Sequence, residues 1–101
     1  MEFSIKHSPD KSIIVVEKNR LLGAENSELQ SLVKESVEKG SKNIVVDLSK
    51  VEYIASWGIG ILVYAYTTCN NKGIRFSLEG VNENVMSILD QLKLNKLFII
   101  S

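Results

Sequence analysis

The chain has 101 residues, 45% of them hydrophobic and 24% charged, an ordinary globular composition that supports one compact domain burying about 60–65% of its unfolded surface. Twelve basic residues balance twelve acidic ones, so no net field steers the protein toward nucleic acid or an anionic membrane, and the expected partners are proteins or small molecules. Cys69 is the only cysteine, which excludes an intrachain disulfide and a zinc site of several thiolates and fits a reducing cytoplasm.

The opening segment, MEFSIKHSPDK, lacks a basic stretch followed by an apolar core and does not read as a signal peptide. FSIKH alternates apolar and polar residues and SIIVVEK is β-branched, so Phe3 to Lys18 is expected to form a hairpin turning at Pro9 and Asp10. His7 is expected to be an exposed strand residue. From Ala24 to Lys39 the period changes: Leu29, Leu32, Val33 and Val37 recur at helical spacing, and Gly40 is placed to end the helix. NIVVDL reads as a strand buried on both faces and therefore central in a parallel sheet, with Asp47 at its end expected to be a solvated carboxylate, the alternative being a group that caps or pairs there.

Ser56 to Asn71 is expected to be a second helix, closed by NNKG. Its most apolar run, Trp57 to Tyr66, falls far short of the roughly 20 residues that cross a bilayer. IRFSLEG forms a strand with Ile74, Phe76 and Leu78 on one face. VNENVMSILDQLKL is a third helix using Val85, Ile88, Leu89 and Leu92, and LFII is a closing edge strand. The order β-β-α-β-α-β-α-β implies an α/β fold: a single domain over residues 1–101, with helices packed against a mixed sheet of four to five strands joined by right-handed parallel crossovers.

The junction YIASWGIG carries the functional question. Loops that leave the carboxyl ends of strands in an open α/β sheet gather functional groups. Ser56 is suited to cap the helix, which would make it purely structural, with a capping value of about 1 kcal/mol. A hydroxyl at the positive end of a helix dipole is also where a phosphate is tolerated. Gly58 and Gly60 each cost a helix about 1 kcal/mol relative to alanine, which close approach to the sheet or to a partner would offset. Trp57 is either a cover for a neighbouring loop or an interface anchor.

NIVVDLSKVEYIASWGIGILV resembles the signature of STAS domains of the anti-sigma factor antagonist type, in which a strand ending in DLS leads to DSSGLG or DSTGLG and a helix. The resemblance continues in spacing through NNKGIRFSLEGVNENVMSILDQLKLNKLFII. It implies a STAS-like domain that is not an enzyme and needs no cofactor. It further implies that a GHKL-type anti-sigma factor kinase phosphorylates Ser56, that the unmodified form binds the kinase and frees a sigma factor, and that a phosphatase resets the switch. Residue by residue, the implied partner-binding segment is Ala55, Ser56, Trp57, Gly58, Ile59 and Gly60. Ala55 stands where the family usually carries an aspartate, Trp57 where a small or hydroxyl residue is usual, and Ile59 where leucine is usual. The alternative is a non-switching scaffold or transporter-associated subunit in which Ser56 is only a helix cap.

Catalytic readings fare worse. Cys69 and Arg75 have the C-x5-R spacing of a phosphatase loop, but the cysteine ends a helix and the arginine begins a strand, the reverse of what converges amides on an anion. YIASWGIG lacks the glycine two residues before Ser56 that a nucleophile elbow requires, and no metal-ligand cluster is spaced in the sequence. The expected location is the cytoplasm.

Overall fold

The computed structural model describes residues 3–24 and 26–100. The chain opens with β1 (Phe3–His7) and β2 (Lys11–Val16), an antiparallel hairpin closed by hydrogen bonds between Ser8 and Lys11 in both directions. A two-residue strand β3 (Arg20–Leu21) precedes α1 (Asn26–Glu38). This helix begins two residues after the expected Ala24; Glu25 lies outside the described residues. There follow β4 (Asn43–Asp47), β5 (Tyr53–Ile54), α2 (Ser56–Asn71), β6 (Arg75–Glu79), α3 (Glu83–Gln91) and β7 (Ile99–Ile100).

Five strands form the main sheet in the order β1-β2-β4-β6-β7, with β1 antiparallel to β2 and the remaining neighbours parallel. This is the expected α/β architecture, with β4 at the centre. Two short strands escaped the sequence pattern: β3 and β5 pair in parallel as a separate ribbon, Arg20 beside Tyr53 and Leu21 beside Ile54. Two residues are too few to show any period.

The core lies on one face of the sheet. Ile14, Ile44, Val46, Phe76 and Leu78 meet Leu29 and Val33 of α1, Leu62, Ala65 and Cys69 of α2, and Val85 and Leu89 of α3. Ile74 packs against this core beside Phe76 and Leu78, as the alternation implied. Leu92 does not follow the helical pattern; it lies past the end of α3 and is exposed. Val45 is buried but stands outside the core cluster, because strand residues alternate between faces and all three helices occupy the other one. β4 is thus covered by helices on one face only.

Each helix ends in the same way. Gly40 N–H donates to Val37 O and Ser41 N–H to Ser36 O; the pattern repeats at Gly73 and Ile74 on Asn70 and Cys69, and at Lys93 and Leu94 on Asp90 and Leu89. The turning residue has φ +83° at Gly40, +71° at Gly73 and +59° at Lys93, so the last carbonyls are satisfied by a left-handed closing residue in all three.

Candidate functional site

The site is the start of α2 and the chain that leads into it. After β4, Asp47 turns the backbone by accepting Ser49 N–H on Oδ1 at 2.8 Å, so this carboxylate is a turn-former rather than a merely solvated group. Leu48 and Val51 are fully buried, and Asn82 Nδ2 donates to Val51 O at 2.8 Å. Lys50 pairs with Glu17, and that hydrogen bond, with a second from Ser4, holds the Glu17 carboxyl below the usual carboxylate range.

The ribbon then fixes the approach. Glu52 and Tyr53 donate to Asn19 O, and Ala55 N–H donates to Leu21 O at 3.0 Å. Ala55 is extended, with φ −87° and ψ 167°, and its carbonyl accepts the N–H of Ile59 at 2.9 Å. The N-cap is therefore Ala55, and no side chain caps the helix. This corrects the capping role expected of Ser56, which occupies the first helical turn with an exposed side chain. The reason is tertiary: the bond to Leu21 holds Ala55 in the extended conformation a cap residue needs, and the helix begins one residue later.

Two residues of the expected segment face inward. Gly58 is buried, and a Cβ built on it would lie 2.2 Å from Leu21 O; this glycine exists so that α2 can press against β3. Ile59 is buried in the core. Neither offers a side chain to a partner, so the exposed part of the segment is Ser56, Trp57 and Gly60, with Ala55 half-buried beside them. Trp57 is 81% exposed, which excludes the packing role, and its Cβ is hemmed by Gly23. Gly60 has nothing within 4 Å of the position a Cβ would take.

Other exposed apolar groups were not singled out by sequence reasoning. Tyr64 is exposed and lies two helical turns from Trp57, so the two aromatics share the outer face of α2 with Gly60 between them. The heptad spacing was readable, but in a helix apolar on every side it did not show which stripe faces solvent. Tyr64 also borders a groove of about 430 Å³ between α1 and α2, floored by Val33 and Val37. Leu22 and Tyr53 are exposed on the ribbon, with the Arg20 guanidinium 5.7 Å from the Tyr53 ring centre.

The remaining reactive groups do not assemble. Cys69 is fully buried and burial raises its thiol to about 11, while Arg75 is exposed on the strand face away from the helices. His7 is the exposed strand residue expected, and both its ring nitrogens are engaged: Nδ1 lies 2.9 Å from Ser12 Oγ and Nε2 3.0 Å from Glu35 Oε2. Ser12 Oγ in turn lies 2.5 Å from Ser41 Oγ, with Ser12 wholly inaccessible. This serine–histidine–carboxylate chain faces no substrate space at its serine; it fastens the hairpin to α1. Among the described residues no group of His, Cys, Asp or Glu could hold a metal ion, and no helix is long and apolar enough to cross a membrane.

A profile of the STAS domain family matches residues 3–101. A Thermotoga maritima protein named as a candidate anti-sigma factor antagonist is 29% identical, with 97% of this chain and 84% of that one covered and a TM-score of 0.77. The Bacillus cell fate determinant SpoIIAA in its phosphorylated form is 11% identical over 98% of this chain and 90% of its own, with a TM-score of 0.73. A sulfate transporter family protein from Wolinella succinogenes is 15% identical over 89% and 75%, with a TM-score of 0.78. The last two share the fold alone.

Proposed function

Because this chain belongs to the STAS domain family, we propose that it is a regulatory protein-binding domain of the anti-sigma factor antagonist type, which docks a GHKL-type anti-sigma factor kinase on the start of α2 and is switched there by phosphorylation of Ser56. The observation that carries this reading is the exposed Ser56 in the first turn of a helix without a side-chain cap, next to an 81% exposed tryptophan. First-turn amides left uncapped by Ala55 favour an anion. A phosphate adds a charge of about −1.5 to −2 at pH 7, and placed beside Trp57 it changes both the charge and the shape that a partner meets. Gly60 supports the same surface: a helix-interior glycine costs about 1 kcal/mol, and nothing within the described residues packs where its side chain would be. A partner approaching α2 closely gives it a purpose.

Incubation with the kinase and ATP, followed by peptide mass spectrometry, is expected to place phosphate on Ser56. Modification at Ser49 or Thr67 instead overturns the assignment. Trp57→Ala is expected to leave the urea midpoint nearly unchanged and to weaken capture of the kinase, since an exposed anchor carries about 2 kcal/mol or more of binding and little folding energy. The non-switching alternative has lost its structural cap at Ser56; its remaining form is a binder indifferent to charge at that position. Wild-type binding by Ser56→Asp would favour it.

A further inference from the structure

The surface most distant in character from the α2 site is the sheet face that no helix covers. Its side chains fall in rows set by strand register. Lys11 and Arg75 flank Asn43 at one end of the strands, and Asp47 and Glu79 are neighbours at the other. Between them runs a middle row of Lys6 on the edge strand, Ile13, Val45, Ser77 and the exposed Ile99, around a shallow depression of about 290 Å³.

We propose that this face docks a second copy of the chain, sheet upon sheet, in a two-fold dimer with antiparallel strands. A two-fold interface must be complementary to itself. A face that is positive at one end and negative at the other meets that condition when the axis runs across the strands through the middle row. On β6, Arg75 and Glu79 lie two residues either side of Ser77, so rotation about that row sets Arg75 of one copy opposite Glu79 of the other, twice over. The apolar residues of the two middle rows then meet at the roughly 10 Å spacing of stacked sheets, while Lys6, at the edge of that row in each copy, turns its ammonium out to solvent.

The same charges argue against other occupants. Mixed signs give no net attraction for nucleic acid or an anionic membrane. Edge-to-edge pairing is opposed by Lys6 on β1 and by the two-residue length of β7. Five strands about 4.8 Å apart, with five residues of about 3.4 Å, span roughly 24 by 17 Å, well below the roughly 800 Å² per partner of a standard interface. The dimer is therefore concentration-dependent and weakened by salt.

Sedimentation equilibrium at low salt, from about 10 μM to about 1 mM, tests the proposal on the full chain. Wild type is expected to dimerise, Arg75→Glu and Glu79→Arg each to raise the dissociation constant about tenfold or more, and the double variant to return within about threefold of wild type. Urea midpoints confirm that each variant folds. Monomers at every concentration overturn the proposal, as does a dimer unaffected by either reversal or a double variant no better than the singles. Trp57→Ala is expected to dimerise like wild type; its failure to do so would place the contact on α2 and overturn the sheet-face assignment without touching kinase capture.

Discussion

Two glycines two residues apart serve different ends. Gly58 has a carbonyl oxygen 2.2 Å from where its Cβ would stand, whereas Gly60 faces open space. Gly58→Ala is expected to destabilise by about 1–3 kcal/mol or more, because the clash is with backbone that also receives Ala55 N–H. Gly60→Ala is expected to stabilise by about 1 kcal/mol and to weaken kinase capture; both shifts are read from urea midpoints and a binding assay. The sequence showed both as costs to the helix without telling them apart, since what distinguishes them is Leu21, 37 positions before Gly58 in the chain. Cys69 gives a pH test. Its thiol ionises near 9.0 when unfolded and at about 11 when folded, so the folded state binds the proton more tightly. Its share of stability is intact below pH 9 and lost as pH rises toward 11. Wild type should lose more urea stability over that range than Cys69→Ala does, and iodoacetamide at pH 8 should label Cys69 only after denaturant is added.

At the scale of elements, the helix ends decide the numbers. With Ala55 at the N-cap of α2, Ala55→Asp supplies the missing acceptor and is expected to stabilise by about 1 kcal/mol. Ser56→Ala removes no cap and should fall within about 0.5 kcal/mol of wild type. The same denaturation series checks both, and a loss of about 1 kcal/mol in Ser56→Ala would return the cap to Ser56. At the other end of the molecule, α3 closes on Lys93 at φ +59°, where α1 and α2 use glycine. Lys93→Gly is expected to gain about 0.5–1 kcal/mol by relieving the Cβ in that conformation, partly offset by a freer unfolded chain. Sequence placed α2 and its glycine-led close correctly, because apolar run and punctuation agree. It misplaced the cap by one residue because residue preference favours a hydroxyl, and a hydrogen bond from a ribbon with no readable period overrode it.

Across the whole molecule, the order of elements and the central β4 were legible because each main-sheet segment keeps its period, as KSIIVV does in alternating half-buried and buried positions. The open face was not, since Ile13, Val15 and Val45 are as β-branched as the residues beneath the helices, and composition alone does not tell a strand covered twice from one covered once. Ser56, the proposed switching residue, was legible through the resemblance; its surroundings, Tyr64 above all, needed the fold. The β3–β5 ribbon has a last consequence. Leu21 O holds Ala55 in place and abuts Gly58, so the start of α2 rests on the ribbon as on an anvil. In the proposed switch, a phosphate on Ser56 meets this support, and its effect is expected on the outside of the molecule. Hydrogen exchange should therefore show β4 and β6 amides equally protected in Ser56→Asp and wild type, with differences confined to the first turn of α2; slower or faster exchange spreading into the central strands would mean that the anvil gives way.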